Sequence, residues 1–249
     1  MLKNFIRSNN IYSLFKAFIP ENASNIITAE HYPKKLLLNK TAPATILDLG
    51  CGAGNSIDLF RSINPGINWF GVDVESSPEG KLRTRTDGDF STYDGVNLPY
   101  EENFFDFIYS NQVLEHVRHP DALLKDVFRV LKPGGYFTGS ASYLEPYHSL
   151  SIYNFTPYGL LVSLKDAGFQ LKELRPGIDA PTLILRQLLN APQKLQFLFN
   201  RASLLNFIVN ISGFLFRLSH REKNFLKLQF AGQIFFLAEK TTGLCPDNK

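Results

Sequence analysis

The run ILDLGCGAGNS, from Ile46 to Ser56, restricts what this chain can fold into more than any other stretch. Ile46, Leu47 and Leu49 make a short apolar strand of the kind that is covered on both faces. The strand enters a turn carrying Gly50, Gly52 and Gly54, and a helix follows. Glycine is needed where the backbone takes conformations closed to other residues, or where a ligand must approach without a side chain in the way. The start of the next helix offers unpaired N–H groups, which favour a carboxylate or a phosphate. Strand, glycine turn and helix in this order point to an α/β protein whose ligand is nucleotide-like. The dinucleotide fingerprint is G-x-G-x-x-G, whereas this turn is G-x-G-x-G with the acidic Asp48 before it. A ligand with an amino-acid portion, bringing a cation and a carboxylate, would use that arrangement better than a pyrophosphate would.

Further short apolar runs separated by turns and helical stretches predict strands at 45–49, 68–72, 105–109, 135–140, 169–174 and 233–238. A helix capped by Asp121 is expected to carry Leu123, Leu124, Val127, Phe128 and Leu131 on one side, stopped by Pro133 and Gly134. Another is expected over 156–167, ended by Gly168. From Met1 to Pro20 the spacing of Leu2, Phe5, Ile6, Leu14, Phe15, Phe18 and Ile19 predicts an amphipathic helix. The whole reads as one domain: an N-terminal helical cap (1–44), an α/β core (45–180 and 229–240) and a basic, apolar helical insertion (181–228).

Composition sets bounds on function. A chain of 249 residues, 44% hydrophobic, can bury a sizeable core. A net charge of +3 does not call for a nucleic-acid partner. The charge is uneven, however. Between 181 and 230, Arg186, Lys194, Arg201, Arg217, Arg221, Lys223 and Lys227 face only Glu222, giving about +6, and the remainder of the chain is net acidic. The same segment is rich in Leu, Phe and Ile, but its longest charge-free run is shorter than the roughly 20 residues of a membrane-spanning helix. It is expected to lie on a surface, which includes peripheral contact with an anionic membrane, or to pack on the core. Cys51 and Cys245 lie far apart, Cys51 within the glycine turn, so neither a disulfide framework nor a metal cluster is expected. With that cysteine usage a reducing cytoplasm is expected, and Lys3, Arg7 and Lys16 interrupt the N-terminal apolar residues, which argues against a signal peptide.

Four motifs stand in order: ILDLGCGAGNS, GVDVE, DGVNLPYEENFFDFIYSNQVLEHV and RVLKPGGYF. With them the chain, over 45–174, resembles the class I S-adenosylmethionine (SAM) dependent methyltransferases. The resemblance implies a doubly wound, Rossmann-like, mostly parallel seven-stranded sheet with helices on both faces, its last strand antiparallel, and SAM as cofactor. It also implies site residues. The glycine loop, with Asp48, Gly50, Gly52 and Gly54, would cradle the methionine portion of SAM. Asp73 in GVDVE would bind the ribose hydroxyls. Asp94, four residues before Leu98-Pro99, would contact the adenine amino group. Where the family normally has an amphipathic helix, SSPEGKLRTRTDGDFSTY is poor in apolar residues and holds Pro78, Gly80 and Gly88. That departure leaves Asp89 as a rival to the favoured Asp94. After the fourth strand, Ser110, Asn111 and Gln112 border the ligand, and Asn111 is assigned to cofactor binding. Relatives that methylate planar base nitrogens tend to carry Asn/Asp-Pro-Pro-aromatic there. This chain has SNQV, so no nucleic-acid partner is expected.

Methyl transfer from a sulfonium is an in-line displacement in which positioning dominates, and a hydroxyl acceptor adds the need for a general base. The loop SYLEPYHSLSIYNFTPYG after the fifth strand offers Glu145, Tyr147, His148 and Tyr153, with His148 the candidate catalytic base or substrate contact. His116 is expected to pack and bond locally, His119 to sit in a turn, and Asp106 to orient backbone. EPYH, NFTPYGL and DAGF look like methyltransferases of surface glycan assembly, which implies a small or lipid-linked acceptor methylated on oxygen. A quinone-like lipid precursor, or a SAM-binding regulatory role without transfer, are the open alternatives.

Overall fold

A computed structural model of the chain describes residues 2–23, 26–38, 42–146, 149–190 and 203–242. Tyr147, His148, Lys194, Arg201 and Cys245, and the side chains of Leu2 and Phe5, lie outside the described residues. Strands β1 (Thr45–Leu49), β2 (Asn68–Val74), β3 (Asp89–Tyr93), β4 (Phe105–Asn111), β5 (Leu131–Ser142), β6 (Gln170–Pro176) and β7 (Gln233–Glu239) form one sheet in the order β3-β2-β1-β4-β5-β7-β6. Strands β1 to β5 pair in parallel, and β7 runs antiparallel to both β5 and β6.

The central strands are apolar on both faces because both faces are covered. Leu47 and Leu49 of β1 and Ile108 of β4 pack into one core, while Ile46, Phe107 and Tyr109 point into the other. The first core is closed by α6 (Pro120–Val130) and α7 (Pro157–Asp166), through Leu123, Leu124, Val127, Leu160 and Leu164. The second is closed by α3 (His31–Leu37) and α4 (Ser56–Ile63), with Phe60 edge-on to Phe107 and Tyr109 at 6.3 and 5.5 Å.

Two helices depart from the sequence expectation. The chain from Met1 to Pro20 is not one helix but two, α1 (Leu2–Arg7) and α2 (Asn10–Phe15), broken where Asn9 accepts hydrogen bonds from the N–H groups of Ile11 and Tyr12. An asparagine that caps a new helix competes with continuing the old one. Ile6, Phe15 and Ile19 are buried as expected, but Leu14 is exposed. Helix α6 is not capped by Asp121: it begins at Pro120, whose preset φ suits the first helical position, so His119 takes the N-cap position and Asp121 sits in the first turn. Leu131 opens β5 instead of closing that helix.

The crossover from β2 to β3 contains only the short α5 (Pro78–Lys81). Ion pairs stand where an apolar helix face would: Arg85 grips Asp58 at 2.7 and 2.9 Å and also Asp87, which Arg61 joins. Exposed pairs of this kind add little net stability. Strand β3, DFSTY, is an edge strand without a fully buried residue, which is why no apolar run announces it.

Between β6 and β7 come α8 (Ala180–Leu188), α9 (Leu204–Leu215) and α10 (His220–Gln229). Helix α10 carries a capping box between Ser219 and Glu222. It ties down the N-terminal segment through Arg7–Glu222 at 2.6 Å, Tyr12 edge-on to Phe225 at 5.1 Å, and Asn224 donating to the carbonyls of Pro20 and Asn22. Among the described residues no helix is long and apolar enough to cross a membrane. Phe236, fully buried on β7 and 5.0 Å from Phe137, joins the antiparallel strands to the first core. Phe236→Ala is expected to lower the unfolding free energy by about 3–5 kcal/mol, read from urea denaturation.

Candidate active site

A cavity of about 740 Å³ opens at the C-terminal ends of β1 to β4. It straddles the place where neighbouring strands β1 and β4 send their connections in opposite directions, the position at which open α/β sheets bind ligands. Gly50, Gly52, Asp73, Asp94, Asn111 and His116 are among the residues that line it.

The loop after β1 folds back on β2: the N–H groups of Gly50 and Cys51 donate to the carbonyl of Val72 at 2.8 and 3.1 Å. Gly50, Gly52 and Gly54 have φ of 74°, 50° and 81°, a region that L side chains rarely enter. A Cβ at Gly50 would also lie 2.4 Å from a methyl of Val113. Residue 52 is held from two sides. Asp73 Oδ2 accepts its N–H at 2.8 Å, and Arg83 donates to its carbonyl through Nε at 2.9 Å and Nη2 at 2.8 Å. Asp73 is itself fixed, accepting from Ser77 Oγ at 3.0 Å and from the Val74 N–H at 2.8 Å. Arg83 stacks 4.0 Å above the Phe90 ring. No sequence pattern singles out Arg83; only its place in the unusual crossover does.

Asp48 and Gly54, expected in the cofactor-binding set, do not line the cavity; they lie beneath it. Asp48 is buried and accepts from Ser56 Oγ, which in turn accepts from Trp69 Nε1 at 2.9 Å. Burial, opposed by the Ser56 hydrogen bond and reinforced by Asp73, raises the Asp48 carboxyl to about 7. Gly54 donates to the carbonyl of Cys51, and a Cβ there would lie 2.8 Å from Phe90. Burial pushes the Cys51 thiol up to about 12, so it stays protonated and inert.

Asp94 stands just past the C-terminal end of β3 and lines the cavity, whereas Asp89 opens the same strand at its far end. The carboxylate of Asp94 accepts from the N–H and side-chain amide of Asn97 and from the N–H of Val96, at 2.6, 2.7 and 2.8 Å, which holds it below the usual carboxylate range. Asn111 is positioned by Ser140, whose hydroxyl donates to its side-chain oxygen at 2.7 Å. Asp106 orients backbone as expected, accepting from the Thr45 N–H and from Lys132 at the opposite end of the sheet. His116 and His119 both line the cavity.

Beside Asn111 lies a polar cluster that sequence spacing does not connect. Gln112 takes a positive φ of 56° and sets its amide nitrogen 2.9 Å from Glu145 and 3.0 Å from Glu115. Ser142 Oγ donates to Glu145 at 2.7 Å, and Gln233 Nε2 donates to the same carboxyl at 3.1 Å. Glu115 has no exposed surface, and burial raises its carboxyl. The members come from β4, β5, β7 and the loops beyond them, so only the fold brings them together.

Against known proteins, a family model described as a methyltransferase domain matches residues 25–173. The chain belongs to that family. Its cofactor is S-adenosyl-L-methionine, and the cavity wall fits such a molecule: bare backbone at Gly50 and Gly52 where a side chain would obstruct, with the carboxylate of Asp73 beside it. A phosphoethanolamine N-methyltransferase of Triticum aestivum is 31% identical over 104 residues, 40% of this chain and 20% of that protein. A demethylmenaquinone methyltransferase of Lactobacillus johnsonii is 29% identical over 149 residues, 54% of this chain and 61% of that one. The chain thus matches less than two thirds of either relative. The structure of phosphoethanolamine N-methyltransferase 2 of Haemonchus contortus in complex with S-adenosyl-L-methionine shares the fold, with a TM-score of 0.54 and 18% identity over 97% of this chain and 60% of that one.

The raised carboxyl of Asp48 sets a pH dependence. Between about pH 4 and 7 the unfolded chain gives up this proton while the folded chain keeps it, so the wild type loses stability as pH rises through that window. Asp48→Asn removes the loss and is expected to raise the thermal midpoint at pH 8 by about 2–8 °C while leaving it little changed at pH 4, as followed by scanning calorimetry.

Proposed function

We propose that the protein methylates a hydroxyl of a small or lipid-linked acceptor, a glycan precursor in particular. The observation that carries this reading is Gln112 on the wall of the cofactor cavity, with Ser142, Glu145 and Gln233 bonded together next to it. Carboxyl, amide and hydroxyl groups next to that wall suit an acceptor rich in hydroxyls, which needs hydrogen-bond partners and a group to take its proton.

In this reading Gly50 and Gly52 border the methionine portion of the cofactor, with Gly54 and Asp48 beneath them. Asp73 takes the ribose hydroxyls, Asp94 the adenine amino group, and Asn111 stands where cofactor and acceptor meet. Bound there, S-adenosylmethionine supplies a methyl carbon activated by its sulfonium, and the electrons of the broken carbon–sulfur bond end on a neutral thioether. Glu145 accepts the proton of the acceptor hydroxyl as its oxygen forms the new bond to carbon. His148, three residues further along the same loop, is the second candidate for that role. A quinone-like lipid precursor is the alternative acceptor, favoured by the similarity to the demethylmenaquinone methyltransferase.

A transfer assay with methyl-labelled cofactor on hydroxyl-bearing glycolipid fractions is expected to yield methyl ethers, identified by mass spectrometry. Label found only on carbon of a quinone-like product would overturn the reading. Asp73→Ala is expected to weaken cofactor binding by about 1–3 kcal/mol in calorimetry, since it removes both the sugar contact and the hold on Gly52; unchanged affinity in a folded variant would remove Asp73 from the site. Glu145→Gln is expected to cut kcat by roughly 10²–10⁴ with cofactor affinity preserved, and comparison with His148→Ala assigns the base.

A further inference from the structure

We propose that α8 and α9 form a docking face for an anionic phospholipid bilayer. Both helices start from one buried pair: Asp179 caps α8 by accepting from the Thr182 N–H at 2.9 Å and also accepts from Ser203, which caps α9. Their bases are therefore fixed while their outer faces are bare. At about 100° per residue, Phe207, Ile208, Ile211, Phe214 and Leu215 fall within an arc of about 120° on α9. Phe214 is 82% exposed, Leu215 69% and Phe207 62%. On α8, Leu188 is 79% exposed, with Ile184 and Leu185 also exposed. Single exposed apolar residues are ordinary on a protein surface, but a contiguous run of large ones marks a contact.

What covers this face is argued from charge and shape. Among the described residues of 181–230, Arg186, Arg217 and Lys223 present charge at the surface, Lys227 being buried and Arg221 paired with Glu21, and these surface cations match the negative surface of an anionic leaflet. At the C-terminal end of α9 a cavity of about 500 Å³ is lined by Gly213, Phe214, Leu215, Arg217, Leu218 and Lys223, two cations among apolar groups. That is the chemistry of a phosphate headgroup with hydrocarbon beside it. Gly213 permits this arrangement, because a Cβ there would lie 2.5 Å from the Lys223 stem. A second copy of the chain fits less well, since a two-fold contact would set two such basic segments against each other. The proposal goes beyond the methyl-transfer reading and does not depend on which acceptor is used.

The test is flotation of the full chain with vesicles of phosphatidylcholine alone or with about 30% phosphatidylglycerol, at about 50 and 500 mM salt. Binding is expected on the anionic vesicles at low salt and is expected to fall at high salt. Phe207→Ser with Phe214→Ser is expected to reduce binding at least tenfold, and Arg217→Gln with Lys223→Gln by roughly 25-fold, about fivefold for each cation. Calorimetry with the cofactor verifies that both variants keep the fold, because none of these residues lines the cofactor cavity. No binding to anionic vesicles at low salt, or equal binding by the variants, would overturn the proposal. So would a concentration-dependent dimer that Phe214→Ser dissolves, which would give the face to a second copy.

Discussion

The hydrogen bond from the Gly52 N–H to the Asp73 carboxylate, 2.8 Å long, joins the ends of β1 and β2 and gives the cavity its floor. Sheet pairing brings the two strand ends side by side but leaves the loop after β1 free to wander. Asp73 removes that freedom, and Arg83 does the same to the carbonyl of the same residue. With both polar groups of Gly52 committed, the backbone can hold its positive φ and keep a surface without side chains open to the cavity. Underneath, Asp48 is buried against Ser56 and keeps its proton to about pH 7.

The two ends of the sheet are built differently. On the β5-β7-β6 side, Phe137, Phe169 and Phe236 interlock in a buried core continuous with α6, α7 and α10. On the β3 side, the crossover rests on arginine–aspartate pairs at the surface. The cavity lies between them, with Asp94 supplied by the lightly held edge and the Gln112–Glu145 cluster by the rigid end. A lightly held edge suits the half of a site that must admit a ligand, and a rigid one suits the half that must hold reacting atoms in line.

Much of this was legible in the chain because the relevant signals are local. The apolar run before Gly50 foretells β1 to the residue, and the glycines foretell the turn because no other residue accepts those φ angles. Asp73 and Asp94 are legible only through the family resemblance that their motifs carry. What depends on long-range contact is not. Arg83 reaches Gly52 across 31 residues, and Gln233 reaches Glu145 across 88, with no spacing rule to connect them. Strand β3 hides because an edge strand has no need of an apolar run, and the N-terminal break hides because Asn9 acts as a cap only once α2 exists. Asp48 is legible as important but not in its place: its sequence neighbours say it belongs to the loop, and only packing puts it below the cavity instead of on its wall.

The most direct test is an amide spectrum of the protein labelled with nitrogen-15 at glycine, titrated with S-adenosylhomocysteine. The account predicts saturable shifts of the Gly50 and Gly52 resonances, while Gly134 and Gly168, remote from the cavity, stay in place. Saturable binding that moves other glycines and leaves Gly50 and Gly52 unchanged would contradict it.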